Sequence, residues 1–381
     1  MRFLHTSDWH FGRFMKNTGD LEKEQRFFID QICHIIEEKN IDAVLLAGDV
    51  YDRAMASSDT VKLYDEAITD LIIRHRTPVL MVAGNHDGAA RLAVCNRILE
   101  AGGLHICGIL SRKIHKVEFD DTDVYLLPWF TAEKVRALFP EDEEKITDLT
   151  LAYQYVCDRI RADFAPEKKH ILVAHAFIVN AETSTSDRSA EIGLAAAVSA
   201  GVFEGFDYVA LGHIHKPQAI SETIRYSGTP MPYSFGKEEN QQKSVVIIDT
   251  EAMNIETVPL KLLHPLKTIE GTLGEIQNME VTEELAGSYI RIRVTDAFLD
   301  GETRLRLEKK FPLMVEAAGK LFDDENAGIT LTREELEELE NDPVEIFRKF
   351  CEDETSGPAD EHMISLFEEA LKEYEKGDSL Q

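Results

Sequence analysis

The sequence predicts an α/β protein in three parts: a layered α/β domain over residues 1–265, a small α+β domain over 266–331 and a helical tail over 332–381. Three observations predict it. Apolar, β-rich runs alternate with helix-period segments through the first 265 residues. Beyond them lies a strand with one wet face, set among short helical stretches. The last part reads as helix and is strongly acidic. A chain of 381 residues is long enough for one large domain of about 250 residues with smaller additions.

The strand-like runs appear in order as RFLHTS, DAVLLAG, PVLMVAG, HILVAH and DYVALG. Between the first two, LEKEQRFFIDQICHIIEE puts Phe28, Ile32, Ile35 and Ile36 on one helical face, with Asp20 as the expected N-cap. Ser57 or Ser58 is placed to cap the next helix, DTVKLYDEAITDLIIRH. After Gly228, KSVVIIDTE and later short strands predict that antiparallel pieces complete the sheet. SYIRIRVTD alternates Ile290, Ile292 and Val294 with Tyr289, Arg291 and Arg293, and GETRLRLEKKF nearby reads as helix. In the tail, Asp342 and Pro343 open a helix and TSGPAD makes a hinge. On the last helix Met363, Phe367, Ala370, Leu371 and Tyr374 form one apolar stripe. Helices this short are marginal alone in water, so the stripe must dock, either on this chain's core or on a partner.

No run approaches the roughly 18 consecutive apolar residues of a membrane span. MRFLHTSDWH enters a strand without a signal-peptide core, and the five cysteines (Cys33, Cys95, Cys107, Cys157, Cys351) form no C-x-x-C pair. A reducing cytoplasm is the expected compartment, and the scatter argues against both a disulfide framework and a thiolate metal site. The net charge of −29 argues against strong binding of nucleic acid by this chain alone. Residues 334–381 carry 17 carboxylates against 4 lysines and arginines, so −13 of that charge lies in the tail, but the remainder is still acidic.

The chemistry gathers where the runs end. Asp8 and His10 follow the first, Gly48-Asp49 with Asp52 and Arg53 the second, and Gly84-Asn85-His86-Asp87 the third. His175 closes the fourth, and Gly212-His213-Ile214-His215 follows the fifth. Ligands of open α/β sheets collect at the carboxyl ends of strands. Glycines before Asp49, Asn85 and His213 let the backbone turn and approach a ligand closely. In an extended segment His213 and His215 would lie on the same side, about 6.6 Å apart. One such feature is commonly a turn, but five in order define a site. The other eight histidines, His5 and His170 among them, read as structural or solvated.

Imidazoles, carboxylates and an amide oxygen without thiolates suit Mn²⁺, Fe²⁺ or Zn²⁺ rather than Ca²⁺. Seven candidate ligands exceed the need of one ion, so two ions sharing a carboxylate is the economical arrangement. Such a pair, about 3.5–4 Å apart, activates water and clamps an in-line displacement at phosphorus.

The order D-x-H, G-D-x-x-D-R, G-N-H-D, a lone H and G-H-x-H resembles the calcineurin-like metallophosphoesterases. LHTSDWHFG, AGDVYDR, AGNHDG, VFEGFDYVALGHIHKPQ and RYSGTPMPYSFGKEENQQKSVVIID are further similar to the nuclease subunits of bacterial double-strand-break repair complexes, over most of residues 1–260. The resemblance implies a four-layer α/β/β/α sandwich, a capping domain at 266–331 and tail helices that bind the coiled-coil base of an ATPase subunit. It implies two divalent ions, with Mn²⁺ expected. Asp8, His10 and His215 would hold one, Asn85, His175 and His213 the other, and Asp49 would bridge. His86 would stabilise charge or protonate the leaving oxygen, paired with Asp52. Arg53 would touch phosphate or form a salt bridge. Ala54 stands where the phosphatase motif continues with glycine, which weakens a protein-phosphatase reading.

The implied activity is hydrolysis of phosphodiesters at DNA double-strand ends and hairpins, in repair and recombination, by a homodimer bound to its ATPase partner. A small-molecule or cyclic-nucleotide phosphodiesterase on the same core is the alternative. It has no use for the roughly 115 residues after that core, a size argument resting on typical domain dimensions. A non-catalytic scaffold comes last, because no ligand is missing.

Overall fold

The computed structural model describes residues 1–15, 19–184, 186–187 and 197–319, together with Ile364 and Phe367. Residues 1–320 form one compact unit. The second unit, 321–381, includes the expected hinge and apolar stripe, which lie outside the described residues apart from Phe367. Ile364 and Phe367 are helical.

Two six-stranded sheets dominate the first unit. The strands of the first are β1 (Arg2–Thr6), β2 (Ala43–Ala47), β3 (Val79–Val82) and β4 (Leu104–Cys107). Those of the second begin with β5 (His115–Glu118), β6 (Thr122–Leu127), β7 (Lys169–His175) and β8 (Tyr208–Gly212). The short β9 (Gln218–Ala219) and β10 (Ile224–Tyr226) extend the second sheet, and β11 (Ser244–Asp249) and β12 (Asn254–Pro259) return to the first. Their orders are β12-β11-β1-β2-β3-β4 and β9-β10-β8-β7-β6-β5. β1, β2, β3 and β4 run parallel, while β11 and β12 add antiparallel, as the change of pattern after Gly228 predicts.

Alternation along the strands explains the layers. Phe3, Leu45, Leu80 and Val246 meet Val124, Ile171, Val173 and Tyr208 in a core between the sheets. Their sequence neighbours face outward: Leu4, Val44 and Met81 under helix α1 (Glu22–Lys39) and α2 (Ser58–Thr69). Leu172, Val209 and Leu211 do the same under α3 (Ala132–Leu138) and α4 (Leu149–Arg161). Both faces of each central strand are therefore apolar, and a two-layer fold could not bury them. Each fully buried aliphatic side chain contributes about 1.5–3 kcal/mol. His5 is a buried polar residue of the inter-sheet region. Its Nε2–H donates to the Leu211 carbonyl at 3.1 Å and Nδ1 accepts from the Tyr208 hydroxyl at 2.9 Å, tying one sheet to the other.

The helix starts test the capping expectations. Ser57 accepts from the Thr60 N–H and caps α2. In α1, Leu21 holds the N-cap position with no side-chain cap, and the backbone of Asp20 pairs with Phe14 in a two-residue ladder. The side chain of Asp20 lies outside the described atoms.

Residues 266–318 form a three-stranded parallel sheet, β13 (Leu266–Gly271), β14 (Tyr289–Val294) and β15 (Met314–Ala318). Ile269, Ile290, Ile292 and Leu307 make its own small core. Leu266, Tyr289 and Val315 join the larger core under the first sheet, so this region is seated on the body. Two carboxylates fasten it. Glu24 Oε1 accepts from the Tyr289 hydroxyl at 2.6 Å and from His264 at 2.7 Å. Glu239 accepts from the Thr268 N–H at 2.9 Å and from Arg291 at 3.2 Å.

Candidate metal centre

Every strand that carries a motif delivers it to one place. Beyond β1 and β2 the chains stay paired, Asp8 N–H to the Gly48 carbonyl and His10 N–H to the Asp49 carbonyl, each at 3.0 Å. This holds Asp8, His10 and Asp49 side by side although they adopt positive φ values of 53°, 45° and 50°. His213 does the same at 103°. Each such non-glycine conformation costs about 1–3 kcal/mol and persists only where surrounding contacts impose it. Gly84 is required by proximity, since a Cβ there would lie 2.1 Å from Asp49 Oδ1.

The side chains form two facing sets. In one, His10 Nε2 lies 3.1 Å from His215 Nε2 and 3.8 Å from Asp49 Oδ2, with an Asp8 oxygen within 4.8 Å of the His10 and His215 ligand atoms. In the other, Asn85 Oδ1 lies 2.8 Å from His175 Nε2 and 3.0 Å from His213 Nδ1, and the two imidazole nitrogens are 3.3 Å apart. Asp49 Oδ2 stands 3.5 Å from His175 Nε2, so its carboxylate reaches both sets. Asp8 accepts from the His213 N–H at 3.0 Å, which links the sets again.

Tautomers follow from the outer contacts. His175 Nδ1 lies 2.9 Å from the Ala47 carbonyl, which can only accept, so Nε2 offers its lone pair to the site. Ser186 Oγ donates to Glu238 and therefore accepts from His215 Nδ1–H, leaving His215 Nε2 as the free acceptor. Burial pushes His175 down to about 3 and His10 and His215 well below the ordinary histidine value, so these rings are neutral at neutral pH. Burial, then the Asp49 carboxylate, pushes Asp8 well above the usual carboxylate range. Neutral nitrogen lone pairs aimed at each other beside two buried carboxylates fit divalent cations, and the buried His10 Nδ1, without a hydrogen-bond partner, marks a ring whose other nitrogen faces the cluster. The cluster has the donor set of a divalent metal centre.

His86 Nδ1 lies 2.9 Å from the main-chain carbonyl of Asp52, which fixes Nδ1–H and points Nε2 inward, 3.8 Å from Asp49 Oδ2. The expected Asp52–His86 contact is thus made through the Asp52 backbone. The Asp52 carboxylate lies 3.3 Å from Arg13 and 3.6 Å from His10 Nδ1. Arg53 is largely exposed, 3.6 Å from Asp52.

Sequence reasoning passed over the residues around this cluster. Asp187 accepts from the His215 N–H at 3.1 Å. Asp87, quoted within its motif but given no task, accepts from Val50, Tyr51 and Gly84 N–H groups at 3.2, 2.9 and 2.9 Å and so binds two metal-site loops together. Arg13 stacks over Tyr233 at 5.0 Å and donates to the Ser186 carbonyl. Asp87 and Arg13 flank the ligand motifs and were within reach of closer reading. Asp187 lies 26 residues before His213 with no pattern to announce it.

The sequence profile of the calcineurin-like phosphoesterases matches residues 1–217, and the chain belongs to that family. The SbcD subunit of the nuclease SbcCD from Staphylococcus epidermidis is 30% identical over 327 residues, covering 85% of this chain and 86% of the relative. Among solved structures, a dimetal phosphatase from Danio rerio shares 13% identity at a TM-score of 0.41, over 65% of this chain and 91% of that one. A Thermus thermophilus protein, TT1561, shares 12% identity at a TM-score of 0.39, over 68% and 99%.

Proposed function

We propose that this chain is a metal-dependent DNA nuclease subunit that hydrolyses phosphodiesters at double-strand ends and hairpins during repair and recombination. The observation that carries the reading is the pair of ligand sets joined by Asp49, with His86 facing inward beside them. Asp8, His10 and His215 would hold one divalent ion, Asn85, His175 and His213 the other, with Mn²⁺ as the expected metal. Bound there, the ions supply Lewis acidity toward the phosphoryl oxygens and lower the pKa of an attacking water. His86 holds its Nδ1 proton against the Asp52 carbonyl, so Nε2 faces the site, and a second proton carried there, on the imidazolium, is the one that would meet developing charge or pass to the leaving oxygen. Asp52 keeps Arg13 and His10 in place, and Arg53, exposed at the rim, is the candidate phosphate contact.

The partners follow from the same reading. DNA is the substrate, and the acidic balance assigns much of its grip to the cations and to a coiled-coil ATPase subunit, SbcC, docked on the helices of 332–381. Residues 266–318, extended by sequence to 331, act as the capping domain. A homodimer of this chain within the complex belongs to the same reading. The deciding assay offers a hairpin duplex and a generic phosphodiester with Mn²⁺, with and without the ATPase, to the wild type and to His86→Ala. Cleavage of DNA that His86→Ala abolishes is expected. Hydrolysis of the generic ester alone, with DNA untouched beside the ATPase, would sink the nuclease reading in favour of a small-molecule phosphodiesterase.

A further inference from the structure

One turn of the chain, residues 236–242, carries two adjacent glutamates that face opposite ways. Glu238 is fully buried and points toward the metal centre. It accepts from the Ser186 hydroxyl, whose oxygen in turn takes the His215 Nδ1 proton, and from the Tyr233 N–H at 3.0 Å and the Ser234 hydroxyl at 2.9 Å. Lys243, also fully buried, donates to Glu238 Oε2 at 3.1 Å and to the main-chain carbonyl of His215 at 3.2 Å. Glu239, the next residue, turns outward to the small parallel sheet. It accepts from Thr268 N–H at 2.9 Å, Thr268 Oγ1 at 2.6 Å and Arg291 at 3.2 Å, and closes its own turn on Gly236 N–H at 2.7 Å.

A fully desolvated ion pair is weak support for stability, because two apolar side chains of similar volume fill such a space at no loss. Its contacts assign Glu238–Lys243 another task. The pair grips His215 at both ends, the ring through Ser186 and the backbone through Lys243. The carboxylate–hydroxyl–imidazole relay forces the proton to Nδ1 and so presents Nε2. The second ligand set is held differently: His175 is oriented by the Ala47 main chain, inside the inter-sheet region.

We propose that Glu238 and Lys243 are positioning residues for the His10–His215 half of the metal centre, and that Glu239 fastens the same turn to the 266–318 sheet, so that the seating of that sheet sets how firmly this one half holds its ion. The inference rests on the two-ion reading above. A displacement of β13 would pull on Glu239, and Glu238, one peptide away, would carry it to His215.

The test titrates Mn²⁺ into the full chain, following stoichiometry by calorimetry and the coupled-ion signature by electron paramagnetic resonance, with a thermal melt of each variant. Wild type is expected to take two ions and to show the coupled spectrum. Glu239→Ala is expected to weaken one ion at least tenfold, to leave the other unchanged and to give a single-ion spectrum. Glu239→Gln, which keeps an acceptor for Thr268, is expected to restore the second ion. Glu238→Ala should reproduce the loss, and if it fails to fold, Glu239→Ala decides. Two unchanged affinities in Glu239→Ala, or equal weakening of both ions, would overturn the proposal. A wild-type chain that takes one ion or none overturns the two-ion reading, and this inference with it.

Discussion

The strand ends around the metal and the small sheet at 266–318 are built on opposite terms. The small sheet obeys local rules. Its helix α5 (Leu273–Asn278) opens with a complete capping box, Thr272 with Glu275, and α6 (Gly301–Lys310) opens on an Asp300 cap. The metal centre breaks them. Among nine described non-glycine residues with positive φ, four are Asp8, His10, Asp49 and His213. The centre also buries the Asp8 and Asp49 carboxylates against the rings of His10, His175 and His215. Such an arrangement costs free energy locally and is offset by the layered packing around it, so strain marks the place where chemistry displaced stability.

That contrast can be broken most forcefully at Gly84. Gly84→Ala places a methyl group against Asp49, and activity with Mn²⁺ is expected to fall by at least about a hundredfold, the scale of a misplaced catalytic group, with loss of at least one bound ion besides. A variant that retains two ions and wild-type turnover would show that the close approach is dispensable. Next comes His86→Gln. Hydrolysis should slow by about 10²–10⁴-fold with both ions retained, as for removal of a proton-transfer group. Loss of metal in this variant would instead make His86 a ligand.

The acid side of the stability curve offers a third, smaller test. Burial holds His5 down to about 3 in the folded chain. The unfolded chain, with histidine near 6.5, therefore binds the extra proton between these values, and stability falls as pH drops from about 6.5 toward about 3. His5→Gln should flatten that slope in melts of the chelated protein; an unchanged slope would remove His5 from the account. The smallest effect belongs to the small sheet. Thr272→Ala should cost about 1 kcal/mol, read by chemical denaturation, with nuclease rate and metal content unaltered. A matching loss of activity would dissolve the contrast between the two regions.

Much of the fold was legible because its signals are local. β1, β2, β3, β7 and β8 are contiguous apolar runs, and each ends in or just before a ligand motif. The change to antiparallel pairing after Gly228 was legible for the same reason. What escaped depends on contacts between distant segments. Asp52 met His86 through its carbonyl, and Asp187 and Lys243 reach His215 directly, Glu238 through Ser186, from loops with no periodicity. The small sheet at 266–318 could be placed by its strand alternation, but not its fastening to Glu24 and Glu239, which is a matter of single hydrogen bonds.

Gly212 reveals a consequence of dividing one centre between two sheets. A Cβ at this position would come within 1.8 Å of the Ala47 carbonyl oxygen, so β8 and β2 touch almost backbone to backbone beneath the clustered side chains. His10, Asp49 and Asn85 ride on the first sheet, His175, His213 and His215 on the second. The spacing between these two groups of side chains thus follows the separation of the sheets. A methylene added to the inter-sheet core would widen the gap across which Asp49 reaches His175.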